Sequence, residues 1–261
     1  MNEFKHVVKW LLTRKLFWAG AVAFALLYAM FSNGPRETVP ISAVASTRKL
    51  PIYSVDSEKK LVALTFDAAW GNEDTQKILD ILKENNVKVT FFMTGGWVEK
   101  FPEDVKMIAK DGHALGNHSE NHKKMSELSK EECKEEILAV HNRVKELTGV
   151  EMEVFRPPYG DYDDKLVDVC YELKYFPIQW SVDSLDWKNY GVKSIIDTVV
   201  NHKALDNGGI ILMHNGSKYT ADALQSVIDG LKKKGYTFVT VPELIMRENF
   251  VIDHTGKQIS K

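Results

Sequence analysis

Residues 61–75 of the chain have the sequence LVALTFDAAWGNEDT, an apolar, β-prone run that stops at Asp67 and then enters a turn. The run indicates a buried strand, and residues 74–84 after it are apolar at helical spacing. A second apolar run follows at residues 87–92. This strand–helix–strand order predicts parallel strands with helices packed outside them.

The same alternation continues to about residue 239. About seven strands within one domain of this length fit a (β/α) barrel, complete or incomplete, better than an open sheet. In such barrels the chemistry lies at the carboxyl ends of the strands. The sequence therefore predicts an α/β fold whose functional groups stand directly after the strands.

Length and composition exclude several classes of protein. The chain has 261 residues, of which 44% are hydrophobic and 27% charged, so it can bury one sizeable core. Its net charge of −2 gives no electrostatic reason to expect a nucleic-acid partner. Cys133 and Cys170 match no metal or disulfide pattern, which favours ordinary buried thiols.

The amino terminus has the pattern of a membrane anchor. Residues 1–15 carry several Lys and Arg, and residues 16–31 carry no charge. A basic flank before an apolar run predicts a cytoplasmic amino terminus, one transmembrane helix and an extracytoplasmic remainder. The alternative is a cleaved signal peptide, which the bulky Phe31 and the early Pro35 disfavour.

The rest of the chain divides into three predicted parts. Residues 32–59 are rich in Pro, Ser and Thr and predict a linker, with a short strand near residues 52–55. Residues 60–247 form the predicted catalytic domain. Residues 248–261 form a tail whose pattern predicts no element.

Five predicted strand ends each carry an ionisable or metal-binding group. In chain order they are Asp67; His118 and His122; Arg156; Asp183 and Asp186; and His214. Because the carboxyl ends of parallel strands meet on one side of the sheet, these groups are expected to converge on one opening.

His118 and His122 are four residues apart, so on a helical turn they would share one side and hold a divalent ion. A zinc peptidase of the HExxH type needs Glu where Ser119 stands. The inverted HxxEH form needs Glu where Asn121 stands. The sequence therefore excludes both peptidase types, and the base must come from elsewhere.

Asp67 is the candidate base. Alone it would be read as a turn or helix-capping residue, but a guanidinium from Arg156 would keep its carboxylate ionised and oriented. His214 follows an apolar strand, and Asp183 or Asp186 would orient one of its ring nitrogens and leave the other to donate a proton.

Trp97, Tyr159 and Trp187 fit two roles equally well, either as core aromatics or as faces on which sugars stack.

The motifs TFDAAW, HSENH, RPPYG, DSLDW and LMH occur in this order. Together they resemble the NodB-type polysaccharide deacetylases, carbohydrate esterase family 4, over residues 60–244. The anchored layout and the form of the first motif are most similar to the sporulation-associated deacetylases.

The resemblance implies a deformed (β/α) barrel that removes acetyl groups from N-acetylated cell-wall or chitin-like glycans with a divalent metal ion, zinc first and cobalt or nickel as alternatives. It implies these roles: Asp67 as base, His118 and His122 as metal ligands, Arg156 as tether of Asp67, Asp183 as tether of the acid His214, the Tyr159 backbone N–H as oxyanion donor, and Trp187 and Leu212 as the lining of the acetyl pocket.

The chain departs from that family at Ala68, where a second Asp usually binds the metal. Water would fill the position, or Glu73 or Asp74 would reach in, or the site would be weak or inactive. The alternative functions are therefore an inactive glycan-binding protein and an esterase acting on O-acetyl groups of glycans.

Overall fold

The structure is a computed structural model that describes residues 48–261. The predicted basic segment, the anchor helix and most of the linker lie outside the described residues. Within the described part of the chain, none of the helices has the length and apolar character needed to cross a bilayer.

Eleven strands are present in residues 48–261: β1 Ser54–Val55, β2 Leu61–Ala68, β3 Thr90–Met93, β4 Ala114–Asn117, β5 Val154–Phe155, β6 Phe176–Pro177, β7 Val182–Asp183, β8 Gly209–Asn215, β9 Thr237–Phe238, β10 Phe250–Ile252 and β11 Lys257–Ser260. The helices there are α1 Thr75–Glu84, α2 Gly95–Lys100, α3 Pro102–Lys110, α4 Lys130–Thr148, α5 Asp164–Glu172, α6 Val192–Val200, α7 Thr220–Lys233 and α8 Val241–Leu244. Short 3₁₀ turns lie at Met125–Glu127, Pro158–Gly160 and Asp186–Lys188.

Strand β2 is the centre of the sheet and pairs in parallel with both β3 and β8. The sheet continues from β3 through β4 and β5 to β6, while β7 joins the other side of β8. Ile52 forms a parallel bridge to Ile178 beside β6, and β1 pairs with β8. A curved, largely parallel sheet with helices packed against it is the α/β arrangement that the alternation predicted.

Two apolar clusters lie on the two faces of this sheet. The larger one combines sheet residues with residues of the long helices, such as Ile78 of α1 and Ile137 of α4. The smaller one contains Ala63 of β2 and Phe92 of β3 and lies on the other face. Asp67 follows Ala63 on the same face, because side chains two or four positions apart in a strand point the same way.

The folded part extends beyond the predicted bounds of 60–247 at both ends. Residues 48–261 belong to one compact unit. Ser54 pairs with Gly209 and with Lys257, so segments assigned to the linker and to the tail both join the sheet. The pattern did not predict the tail strands because both are short. β10 pairs with β11 as a hairpin, and β11 is joined to the sheet by pairing with the distant β1.

Helix α4 begins as its sequence predicts. Ser129 accepts a hydrogen bond from the backbone N–H of Glu132, and the Glu132 side chain bonds back to Ser129, which completes a capping box. Cys133 and Cys170 are both free and buried, as their isolated positions indicated.

Candidate active site

The predicted strand-end residues meet at one cavity of about 500 Å³. It is lined by Asp67, Ala69, Trp70, His118, His122, Pro157, Tyr159, Gly160, Trp180, Asp183, Trp187, Leu212 and His214. Arg156 and Asp186 lie directly beneath this lining and are fully buried. The structure thus brings together the residues expected to share one opening.

Asp67 is held by Arg156 as a buried ion pair. Arg156 Nη1 donates to Asp67 Oδ1 at 2.6 Å and to Thr65 Oγ1 at 2.9 Å, and Nη2 donates to the carbonyl oxygen of Gln179 at 3.2 Å. The guanidinium also stacks 4.1 Å from the centre of the Phe92 ring. Burial alone would raise the pKa of Asp67, but Arg156 keeps that pKa below its ordinary value, so the carboxylate is ionised at neutral pH.

The rings of His118 and His122 lie edge to face, with their centres 4.9 Å apart. His118 Nδ1 donates to the carbonyl oxygen of Arg156 at 2.7 Å, which leaves the lone pair of Nε2 free, 3.5 Å from Asp67 Oδ2. Burial lowers the pKa of His118 to about 4, against the opposing effect of Asp67. A neutral imidazole with a free Nε2 is the form that binds metals.

The backbone around these two histidines is not the helical turn that their spacing suggested. The segment is a loop in which Ser119 and His122 both have left-handed φ values, 65° and 53°. Asn117 Oδ1 accepts from the backbone N–H of Ser119, and Ser119 Oγ accepts from that of His122. The loop therefore brings the two rings together through side-chain hydrogen bonds in place of a helical repeat.

His214 is held by Asp186, and the expected tether from Asp183 is wrong. His214 Nδ1 donates to Asp186 Oδ1 at 2.7 Å, and the His214 backbone N–H donates to Asp186 Oδ2 at 2.7 Å. Thr220 Oγ1 donates to the same Oδ2 at 2.6 Å. Burial opposes protonation of His214, but Asp186 outweighs it and raises the pKa of His214 above its ordinary value.

Asp183 lines the cavity without touching His214. Its Oδ1 accepts from the backbone N–H of Leu185 at 2.8 Å and so stabilises the turn after β7. Leu185 has a left-handed φ of 55°, and the turn that follows points Asp186 inward. The spacing in DSLDW does not reveal which aspartate reaches His214, because the choice depends on this turn.

The three expected substrate contacts all line the cavity. Tyr159 has a left-handed φ of 60° in the rigid Pro-Pro-Tyr-Gly turn, and its ring lies edge-on 4.6 Å from that of His122. Leu212 is buried at the cavity floor, whereas Trp187 is 46% exposed at its edge. A strained non-glycine residue beside the reacting groups is a common feature of functional sites.

Ala68 is fully buried and belongs to the larger core, and it is Ala69 that lines the cavity. Its register partners are Met93 and Asn215, and Asn215 bonds to residues at the start of α1. Asp74 also bonds to Asn215 and does not line the cavity. Of the three alternatives for the missing second acid, a ligand from Asp74 or from its exposed neighbour Glu73 is contradicted, because neither residue lines the cavity.

Trp70, Trp180 and Thr220 also belong to the site and were not singled out from the sequence. Trp70 stacks on His214 with ring centres 5.1 Å apart, and Trp180 lines the cavity near Gly160. The signal for Trp70 in the sequence was the Trp of DAAW, three residues after the base. Thr220 carries no local signal, because its role depends on the approach of α7 to Asp186.

The donor set offers a metal ion two neutral imidazoles. Within residues 48–261, no group of three or more His, Cys, Asp or Glu side chains is arranged to hold an ion. His118 and His122 fit zinc, cobalt or nickel as two ligands, and water would have to complete the coordination.

Residues 54–178 match the model of the family described as polysaccharide deacetylase. A peptidoglycan-N-acetylglucosamine deacetylase of Bacillus cereus is 37% identical over 74% of this chain and 92% of its own length. The chain belongs to the polysaccharide deacetylase family. Deacetylases of this family generally depend on a divalent metal ion.

Two further relatives bear on the activity of this deacetylase-family chain. The peptidoglycan-N-acetylmuramic acid deacetylase PdaA of Bacillus subtilis is 34% identical over 75% of this chain and 75% of its own length. The solved structure of BA3943 from Bacillus anthracis, described as a pseudoenzyme of carbohydrate esterase family 4, has a TM-score of 0.72. It is 33% identical over 81% of this chain and 73% of that chain. A mutant of BA3943 is described as having restored enzymatic activity.

Proposed function

We propose that the chain is a metal-dependent deacetylase that hydrolyses the N-acetyl groups of a cell-wall polysaccharide. The observation that carries this proposal is the pair of held groups on adjacent strands, Asp67 with Arg156 and His214 with Asp186. Asp67 is kept ionised and His214 is kept readily protonated. Amide hydrolysis needs such a pair, a general base for the attacking water and a general acid for the departing amine.

Asp67 takes the proton of the attacking water, since its carboxylate is ionised and lies in the cavity wall. His214 has Nδ1 bonded to Asp186, so its Nε2 carries the proton given to the departing amine. Without that proton the intermediate would expel water again. The Tyr159 backbone N–H is offered as a donor to the developing oxyanion, and Leu212 and Trp187 shape the space for the acetyl methyl group.

A divalent ion at His118 and His122 would polarise the acetamide carbonyl and lower the pKa of a bound water. The chain's own contribution there is to keep both imidazoles neutral. Burial lowers the pKa of His118 and of His122, and the hydrogen bond from His118 to Arg156 fixes the tautomer.

A second candidate function is glycan binding without catalysis. It is favoured by one observation, that Ala68 removes a carboxylate and leaves two protein ligands among the described residues. The similarity to BA3943, described as a pseudoenzyme, points the same way. This candidate keeps the cavity and its aromatic edge but expects no acetate release.

Acetate release from N-acetylated glycans separates the two candidates. The chain is stripped with a chelator and assayed with added zinc, cobalt or nickel on peptidoglycan, on chitin oligomers and on an O-acetylated glycan. We expect metal-dependent release from an N-acetylated glycan that is lost in His118→Ala and kept in His254→Ala, an exposed histidine outside the cavity. Binding without release supports the second candidate, and release only from the O-acetylated glycan supports an esterase.

We further propose that residues 16–31 anchor the chain in the membrane with the catalytic domain outside, where a cell or spore wall is built. The basic flank before the apolar run supports this orientation. Protease added to intact cells is expected to remove residues 48–261 and spare a tag at the amino terminus. Protection of the whole chain contradicts the orientation.

A further inference from the structure

Beyond the cavity edge lies a small exposed surface made of Trp187, Lys188 and Tyr190, called here the 187–190 patch. Trp187 is 46% exposed and Tyr190 is 66% exposed. Lys188 Nζ lies 5.0 Å from the centre of the Trp187 ring and 6.0 Å from that of Tyr190. Two aromatic faces with an ammonium group between them therefore adjoin the cavity through Trp187, which belongs to both.

The 187–190 patch is fixed to the catalytic machinery by its backbone. The Asp186–Lys188 turn lies between two residues with left-handed φ values, Leu185 at 55° and Asn189 at 56°. Asp186 Oδ1 accepts from the Trp187 backbone N–H at 2.9 Å while it also holds His214. Strained residues keep such conformations only where their surroundings fix them. The patch is thus held at a set position beside His214.

Lys188 is exposed, and its charge lies beside two aromatic rings. Within residues 48–261 it forms no ion pair, and its Nζ lies within 6.0 Å of the ring centres of Trp187 and Tyr190. An exposed ammonium group beside two aromatic rings can donate hydrogen bonds to a carboxylate, while the rings pack on the apolar faces of a sugar. The charge of the patch therefore favours an anionic sugar over a neutral one.

We propose that the 187–190 patch is a subsite for a sugar that carries a carboxylate, next to the N-acetylated sugar in the cavity. Lys188 binds the carboxylate, and Trp187 and Tyr190 pack on the ring. This inference rests on the proposed function and makes the substrate a glycan with carboxylates along its length, of the peptidoglycan kind, in place of a neutral chitin-like polymer. The carboxylate belongs either to the lactyl group of muramic acid or to a stem peptide on that group.

Binding of three tetrasaccharides to the full chain tests the subsite. They are chitotetraose, a peptidoglycan tetrasaccharide with free lactyl groups, and the same tetrasaccharide with stem peptides, all titrated by calorimetry at low salt. We expect at least one carboxylated glycan to bind about tenfold tighter than chitotetraose, the gain typical of one charge-assisted hydrogen bond. The stem-free and stem-bearing arms identify which carboxylate is used.

Two lysine variants test whether Lys188 is the source of the preference for carboxylated glycans. Lys188→Met is expected to bring the carboxylated and neutral glycans to within about twofold of each other, because it removes one charge-assisted contact and keeps the side-chain length. Lys100→Met is the matched control, since Lys100 Nζ also lies 5.0 Å from an aromatic ring, that of Phe101, away from the cavity. It should leave the preference unchanged.

Three results overturn the subsite: equal affinity of the unmodified chain for the charged and neutral glycans, a preference that survives Lys188→Met, or no binding of any of the three. Acetate release, measured in parallel, keeps the two proposals separate. Acetate release without a preference for carboxylated glycans contradicts the subsite and leaves the deacetylase proposal standing. A preference that depends on Lys188, without acetate release, contradicts the deacetylase proposal and leaves the subsite standing.

Discussion

Asp67 and His214 are register partners on the adjacent parallel strands β2 and β8, so the carboxylate and the imidazole lie side by side at the same depth of the cavity. Each is held by a residue from a different strand end, Arg156 after β5 and Asp186 after β7. The pairing of β2 with β8 thus sets the distance between the two reacting groups. Arg156 and Asp186, which follow other strands, determine whether each group is ionised or protonated.

Asp186→Asn is expected to lower the rate of acetate release about 10²- to 10⁴-fold, the range for loss of a general acid. The amide cannot stabilise the protonated ring as a carboxylate does, so the pKa of His214 should fall, because burial is then opposed only by the charges of Asp67 and Asp183. Rate assays and an NMR titration of His214 measure both effects. Asp183→Asn should cost less than about tenfold, because Asp183 bonds only to the turn. A larger loss in Asp183→Asn than in Asp186→Asn contradicts this assignment.

The sequence predicted which residues meet and that Arg156 holds Asp67, but it did not predict which aspartate holds His214 or how the loop of His118 and His122 is built. Alternating strands and helices with polar groups after the strands determine the convergence, because parallel strands share one carboxyl end. The choice of Asp186 over Asp183 depends on left-handed residues in the turn, and the approach of His118 to His122 depends on loop hydrogen bonds. Such conformations arise from contacts between distant segments and leave no periodic pattern.

The same reason explains the ends of the fold. Ile52 is fully buried, and Ser54 pairs with strands more than a hundred residues away in sequence. The short strand predicted near residues 52–55 within the linker is present as β1, whereas β10 and β11 are too short to show a strand period of their own.

Arg156→Met is expected to destabilise the fold by about 3–5 kcal/mol at neutral pH, the cost of leaving a buried charge without its partner. Urea unfolding measures this loss. Asp67→Asn together with Arg156→Met should recover a large part of it, because no buried charge then remains. A double variant as unstable as Arg156→Met alone contradicts the ion-pair explanation.

The contribution of Asp67 to stability is expected to change with pH in opposite directions in the unmodified chain and in Arg156→Met. In the unmodified chain Arg156 keeps the pKa of Asp67 low, so this pair stabilises the fold above the ordinary aspartate pKa and loses that effect as pH falls through the folded value. In Arg156→Met burial raises the pKa, so the contribution of Asp67 is lost as pH rises. Unfolding free energies measured from acid to neutral pH, each relative to the Asp67→Asn background, are expected to show the two slopes. Parallel slopes contradict the prediction.

Ala68→Asp is expected to lower the melting temperature in chelator, because a carboxylate replaces a fully buried methyl between Met93 and Asn215. Added zinc should raise the melting temperature of this variant more than that of the unmodified chain, because position 68 ends β2 directly after Asp67 and its carboxylate is expected to act as a third ligand with His118 and His122. Ala68→Asn is the control of similar size without the charge. Equal zinc shifts in all three chains contradict a ligand role for position 68.

Asp74 joins the loops that follow β2 and β8. Its Oδ1 accepts from Asn215 Nδ2 at 2.9 Å and from the Gly216 backbone N–H at 2.8 Å, while its buried Oδ2 has no partner within residues 48–261. Asn215 Oδ1 and Ser217 Oγ are also buried and have no partner in this described part of the chain. Burial raises the pKa of Asp74, and the charge of Glu73 adds to the effect.

A raised carboxyl pKa means that Asp74 supports the fold at acid pH and that this support is lost as pH rises through the folded value. Asp74→Asn removes the charge, keeps an oxygen for Gly216 and supplies an N–H for the unpaired oxygens, so it should be at least as stable as the unmodified chain at neutral pH. Asp74→Ala leaves the Gly216 backbone N–H without its acceptor and takes one of two acceptors from Asn215 Nδ2, so it should lose about 1–3 kcal/mol. Urea unfolding at neutral and acid pH tests the order, and an Asp74→Asn variant less stable than Asp74→Ala contradicts it.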